Sequence, residues 1–268
     1  MNKLIREVVT RIGLDKPARY IGRALWANGL TSWTPPVPEA AFRDGVRQAV
    51  AKLQALEPSE KPGDYLEFGV SRGDSMAYAY QALRGAGLHH MRLIGFDSFE
   101  GLPEAEREGW GGRGFHSSFK ATLRHLKSRR VDLDRVLLVK GWYKDTLTEK
   151  TRESLQIGKV SLIMIDCSIH SASKDALDFC EPHIRQQAVV MFNHWGDRDE
   201  EGQAGQKEAL AGFLAEHPDL AAEPMPAYSP QARVFLVRRL ESGTQNRPAE
   251  PEVETPSNVI RLPRRAFR

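Results

Sequence analysis

The stretch YLEFGVSRGDS, residues 65–75, constrains the fold of this chain more than any other. An apolar run of strand character, Tyr65, Leu66, Phe68 and Val70, meets a turn holding Gly69 and Gly73, and the chain then turns helical through MAYAYQALRGAG. Such a strand, glycine turn and helix direct a ligand to one place. The glycines let the backbone approach it closely, and the amides that open the helix face the crevice above the carboxyl end of the strand. The spacing G-x-x-x-G is shorter than the dinucleotide fingerprint G-x-G-x-x-G, so the turn alone fits both a ligand cradle and a tight connection.

The same alternation recurs downstream. Residues 89–97, HHMRLIGFD, give a second buried strand ending in Asp97, some two dozen residues beyond Gly73. A carboxylate at that place holds ribose hydroxyls in nucleotide-binding α/β folds, and it also serves as a turn or helix cap. Further apolar runs at 136–139, 161–166 (SLIMID) and 188–193 (AVVMFN) alternate with helical stretches at 119–130, 173–183 and 206–216, and a last pair of strands is expected around 221–225 and 233–239. Continuous apolar strands separated by helices predict a mostly parallel sheet with helices on both faces and right-handed crossovers.

Residues 1–30 are amphipathic, with Leu4, Ile5, Val8, Val9 and Ile12 at helical spacing and Tyr20, Ile21, Leu25 and Trp26 beyond Pro17. They fit a cap over the main domain or a contact between copies of the chain. A proline-rich connector, TSWTPPVPE, and a helix at 40–56 follow. The expected layout is an N-terminal helical cap and linker at 1–60, a ligand-binding domain at 61–240 and a disordered tail at 241–268. The glycine-rich segment 98–118, carrying Trp110, is longer than a connector needs and reads as a substrate lid.

A net charge of +3 with no interleaving of aromatic and basic clusters implies no nucleic-acid partner. No run of about 18 apolar residues is present, so no membrane span is expected. Cys167 and Cys180 form no C-x-x-C pair and no charged-then-apolar leader opens the chain, which predicts reduced core thiols in a cytoplasmic protein. A small molecule is the expected ligand class.

Five words in this order, EFGVSRGDS, GFDSFEGLPE, KGWYKDTL, IDCSIHSASKDAL and FNHWG followed by GQKEAL, resemble the class I S-adenosylmethionine-dependent O-methyltransferases of the macrocin, mycinamicin and novobiocin type. The resemblance runs from Glu67 to Leu210. It implies a Rossmann-like methyltransferase fold and S-adenosylmethionine as cofactor. Position by position, it places Glu67, Gly69 and Gly73, with Ser75, around the methionine part of the cofactor. Asp97, with Ser98, falls at the ribose, and Gly141 with Trp142 near the adenine end. Asp166 matches the acid these enzymes use as metal ligand and candidate base, at the edge of the cofactor site. The acceptor implied is a hydroxyl of a small molecule, a sugar or glycosylated metabolite, and the N-terminal helices are implied as an oligomer contact.

The chain departs from the family at this same acid. Where the family usually reads IDCDLY this chain reads IDCSIH, so Ser168 and His170 stand for an aspartate and a tyrosine, and Asn193–His194 stands for a paired Asp-Asp. A metal site built on Asp166, Asn193 and His194 has one formal negative charge where the family has three. That weakens Mg²⁺, which prefers hard carboxylate oxygens, and favours Mn²⁺, Fe²⁺ or Zn²⁺ through the imidazole. Alternatively no metal binds and His194 is the general base, oriented by Asp166. The same substitutions also fit a relative that binds the cofactor without turnover.

Overall fold

The computed structural model describes residues 37–101, 117–167, 169–196 and 205–240, together with the backbone of 259–261. The amphipathic stretch 1–30, most of the expected lid, Ser168 and most of the tail lie outside the described residues.

Helix α1 (Glu39–Leu56) starts directly after Pro38, whose ring fits the position preceding a helix, and buries Phe42, Gly45, Val46, Ala49, Val50 and Leu53 along one stripe. Strand β1 (Asp64–Phe68) is buried along its whole length and stops at Gly69, whose φ of +93° leaves the extended region. Helix α2 (Asp74–Gly85) follows from Gly73, itself left-handed at φ +87°. Then come β2 (Leu93–Asp97), α3 (Phe119–Ser128), β3 (Val136–Lys140), the short α4 (Tyr143–Thr146), α5 (Glu149–Leu155), β4 (Val160–Ile165) and α6 (His170–Cys180). The expected helix at 173–183 thus begins earlier and ends as a 3-10 turn, Glu181–His183, where Pro182 has no N–H to continue the ladder. Strand β5 (Gln187–Phe192), helix α7 (Gln206–Glu216) and strands β6 (Leu220–Met225) and β7 (Arg233–Arg239) complete the domain. Within the tail, the backbone of β8 (Val259–Arg261) adds a strand beside β3.

The eight strands lie in the order β6-β7-β5-β4-β1-β2-β3-β8. Strands β3, β2, β1, β4 and β5 pair in parallel, while β7, β6 and β8 join antiparallel. Side-chain alternation divides the core by face. Tyr65, Leu93, Leu138, Met164 and Met191 pack under α1, α2 and α3, and Leu66, Phe96, Ile163, Val190 and Phe192 pack against α6 and α7. The chain runs outward in opposite directions from β1 and β4, so the switch point, and the crevice it opens, lies between these two strands. No helix among the described residues is long and apolar enough to cross a membrane.

Candidate active site

The parallel ladder continues one residue past the strands and fixes the backbone of the site. Gly69 N–H donates to Phe96 O at 3.0 Å, Asp166 N–H to Phe68 O at 2.8 Å, Asn193 N–H to Ile165 O at 3.2 Å and Gly141 N–H to Asp97 O at 3.0 Å. Five strand ends therefore present Gly69, Asp97, Gly141, Asp166 and Asn193 along one edge. At the switch point the backbones abut, because a Cβ on Gly69 would sit 2.6 Å from the Asp166 carbonyl oxygen. Only glycine leaves room there.

Glu67 is fully buried beneath this edge. Its Oε2 contacts the Tyr65 hydroxyl and its Oε1 the Ser75 hydroxyl, each at 2.5 Å, so Ser75 orients Glu67. Burial raises the Glu67 carboxyl to about 8, against the lowering effect of the two hydroxyls and with the help of Asp166 and Asp97. Tyr65, pushed up by its own burial and by Glu67, stays a neutral phenol. Hydroxyls accept as well as donate, so these contacts persist whichever partner carries the carboxyl proton.

Asp97 shapes the glycine turn. Its Oδ2 accepts from Ser71 N–H at 2.8 Å and its Oδ1 from Phe99 N–H at 2.6 Å, and both donors sit at positive φ, +46° and +53°. The carboxylate thus holds two otherwise costly backbone conformations in place at the mouth of the crevice. Ser98 uses its hydroxyl within the same turn, donating to Gly101 O at 3.0 Å and accepting from Glu100 N–H at 3.1 Å. Trp142 stands before α4, its carbonyl accepting from Thr146 Oγ1 at 3.0 Å. Helix α3 fastens the glycine turn from outside, with Thr122 Oγ1 donating to Ser71 O at 2.5 Å and His125 Nε2 lying 2.8 Å from Asp74 Oδ1.

Asp166, Asn193 and His194 come together, and they bind one another. Asp166 Oδ1 accepts from Asn193 Nδ2 at 3.0 Å and lies 3.0 Å from His194 Nε2. The Asn193 oxygen accepts from the Tyr228 hydroxyl at 3.2 Å. Burial, with Asp166 and Glu67 nearby, holds that phenol well above its ordinary range, so it remains a donor. This donor set does not suit a hard divalent cation. Asn193 turns its nitrogen to the carboxylate and spends its oxygen on Tyr228, and His194 Nε2 faces Asp166 itself. Among the described residues no three His, Cys, Asp or Glu side chains are arranged to hold a metal ion.

Sequence reasoning missed three members of this site: Tyr65, Tyr228 and Gln206. Tyr65 carried a usable signal, since it shares a strand face with Glu67 two residues on. Gln206, at the first position of α7, lies in the word GQKEAL that carries the family resemblance, whereas Tyr228, in the connection between β6 and β7, has no local pattern that marks it.

A family model for macrocin O-methyltransferase (TylF) matches residues 43–207. The chain is 27% identical over 150 residues to the 8-demethyl-8-(2,3-dimethoxy-alpha-L-rhamnosyl)-tetracenomycin-C 4'-O-methyltransferase of Streptomyces olivaceus, covering 50% of this chain and 53% of that protein. It is 22% identical over 162 residues to the demethyldecarbamoylnovobiocin O-methyltransferase of Streptomyces niveus, covering 57% and 59%. It thus spans somewhat over half the length of these curated relatives. Among solved structures, the O-methyltransferase NovP superposes with a TM-score of 0.60 at 19% identity over 75% of this chain and 80% of that one. The calicheamicin methyltransferase CalS11 does so with a TM-score of 0.54 at 21% identity over 72% and 76%. These two show the Rossmann-like methyltransferase fold. With the family model covering more than half of its 268 residues, the chain belongs to the macrocin O-methyltransferase (TylF) family.

Proposed function

We propose that this protein is an S-adenosylmethionine-dependent O-methyltransferase that methylates a sugar hydroxyl on a glycosylated secondary metabolite, with the Asp166–His194 pair as its base in place of a metal. Family membership supports the cofactor and the reaction. The names of the curated relatives, which include a methyltransferase acting on a rhamnosyl tetracenomycin, support the acceptor class. The two cysteines are free, which fits a reducing cytoplasm.

The residues present suit the cofactor. Gly69 lets β1 and β4 abut where the crevice opens, and by the family resemblance Glu67, in its ionised form, would meet a cationic methionine head and Asp97 the ribose. Bound there, the cofactor supplies an electrophilic methyl on a sulfonium, and the methyl–sulfur bond breaks as the bond to the acceptor oxygen forms. What remains for the protein is to align that oxygen and take its proton. Alignment alone is worth on the order of 7 to 11 kcal/mol in favourable cases.

The base follows from the hydrogen-bond chemistry of one contact. His194 Nε2 lies 3.0 Å from Asp166 Oδ1, close enough for the carboxyl group to orient the ring as a base. The acceptor's hydroxyl proton passes to the His194 ring, and Asp166 stabilises the resulting imidazolium. Asn193, held by Tyr228, donates to Asp166 and keeps it oriented. The observation that carries this reading is the sharing of Asp166 Oδ1 between Asn193 and His194.

The test pairs calorimetric titration with S-adenosylmethionine and methyl transfer to methyl α-L-rhamnoside and larger rhamnosylated acceptors, before and after chelator treatment. Micromolar cofactor binding and turnover that survives chelation are expected, with H194Q and D166N reducing kcat by a factor of roughly a hundred or more, as loss of a general base does. Turnover abolished by chelation and restored by one divalent metal would return the site to metal chemistry.

A further inference from the structure

The contact between Asp166 and His194 joins two segments that leave the sheet from different strands, β4 and β5. Asn193 joins them through its N–H to Ile165 O and its side chain to Asp166, but neither bond reaches Cys167 or the backbone of His194. A buried side chain from a third element does. Gln206, the first residue of α7, is completely buried, and both ends of its amide are used. Its Nε2 donates to Ile165 O at 2.9 Å and to Cys167 O at 3.0 Å, the two carbonyls that flank Asp166. Its Oε1 accepts from the backbone N–H of His194 at 2.9 Å.

The three bonds exhaust what this buried amide most readily offers, two N–H donors and one acceptor. They also hold the backbone on both sides of Asp166 and the backbone of His194 itself. The helix that carries Gln206 is anchored in turn, with Gly205 N–H donating to Glu208 Oε2 at 2.9 Å in the first turn of α7. The polar groups of Gln206 therefore serve no purpose in the core other than joining these two segments. A buried amide that must keep three partners tolerates little displacement, because each lost bond leaves an unpaired polar group away from water.

We propose that Gln206 is a positioning residue that sets the separation of Asp166 and His194 and so keeps the ring nitrogen on the carboxylate. This rests on the reading of the pair as the base. It predicts that removing the amide loosens the pair while leaving the cofactor cradle, built on β1 and β2, intact.

The experiment compares the full-length protein with Q206M, which keeps volume and apolar packing but has no amide, and with Q206E, which keeps an acceptor for His194 N–H. The readouts are the hydrogen-bonded imidazole N–H proton of His194 by NMR, assigned by its loss in H194Q, and S-adenosylmethionine affinity by calorimetry. The wild type is expected to show the proton and D166N to lose it. Q206M is expected to lose or broaden it while cofactor affinity changes less than about threefold, and Q206E is expected to fall between. With an acceptor that the wild type methylates, Q206M is expected to lower kcat by a factor of 10 to 100 with little change in the KM for cofactor, the scale of a misplacement of about 1 Å. If Q206M does not fold, Q206E carries the comparison. A wild-type proton that persists unchanged in a folded Q206M or Q206E overturns the proposal and leaves the catalytic pair standing. A wild type without that proton overturns the pair, and the role of Gln206 with it.

Discussion

The Tyr228 hydroxyl lies 3.2 Å from Asn193 Oδ1, and this contact decides which end of the Asn193 amide meets Asp166. With the oxygen engaged by Tyr228, the nitrogen is the end that faces the carboxylate, at 3.0 Å. Tyr228 is itself seated by α1, where its ring meets Phe42 edge-on at 5.2 Å and its Cβ lies 2.9 Å from the position a Gly45 Cβ would take. We expect Y228F to lower stability by about 0.5 to 1.5 kcal/mol, the net worth of one hydrogen bond. It should also lower kcat severalfold with cofactor affinity unchanged. Denaturant unfolding and steady-state kinetics measure both, and unchanged kcat would remove Tyr228 from the site.

Glu67, with its raised pKa, is expected to make stability and, in its proposed role, cofactor binding depend on pH. In the free folded protein its carboxyl holds a proton up to about 8, against an ordinary value of 4.5. A cationic methionine head is attracted only to the ionised form. Affinity for S-adenosylmethionine is therefore expected to rise by up to about tenfold for each pH unit below 8 and to level off above it, with a proton released on binding. The stability sign is the opposite of the usual carboxylate case. The folded state binds the extra proton, so the contribution of Glu67 is greatest below pH 4.5 and declines as pH rises to about 8. E67Q should flatten both dependences, as calorimetry in buffers of different ionisation enthalpy and denaturation across pH will show.

A pair of variants separates the turn-holding bonds of Asp97 from its proposed role at the ribose. D97A removes the carboxylate from the amides of Ser71 and Phe99 and from the proposed cofactor site. Loss of a charge-assisted hydrogen bond of roughly 1.5 to 3 kcal/mol predicts a fall in cofactor affinity of more than tenfold. D97N keeps an acceptor for one of the two amides, so it should retain more stability than D97A while still losing affinity. Equal affinity in wild type and D97A would take Asp97 out of the cofactor site.

Gly69 has no tolerated substitute. A methyl group there meets the Asp166 carbonyl oxygen at 2.6 Å and must adopt φ +93°. G69A is expected to lose roughly 1 to 3 kcal/mol of stability from backbone strain. Cofactor affinity should fall further than that strain explains, because the clash pushes β1 from β4 at the switch point. Thermal unfolding alongside calorimetry separates the two effects.

The sheet and the residues along one of its edges were legible because buried parallel strands leave long apolar runs and their ends carry distinctive residues: Gly69 and Gly73, Asp97, Asp166, Asn193. Helix α7 was read at its observed bounds, since both ends are marked by a shift in composition. Helix α6 was displaced because nothing before Ser173 looks helical by periodicity, while Pro182 was passed over as a stop. The interior of the site was less legible. The grouping of Asp166 with Asn193 and His194 was read from the family resemblance, but that Tyr228 and Gln206 brace them depends on side chains from separate segments meeting across the sheet edge, a relation that no local spacing encodes.

The bond between His194 N–H and Gln206 Oε1 also closes a loop. The residues between them begin and end at one fixed point, so what lies inside can change in length and composition without moving either end. Lengthening a closed loop is cheap, roughly 0.6 kcal/mol for each doubling. Asp166 and His194 are held by β4, β5 and one buried amide, so a change of length between His194 and Gln206 is expected to leave the pair in place.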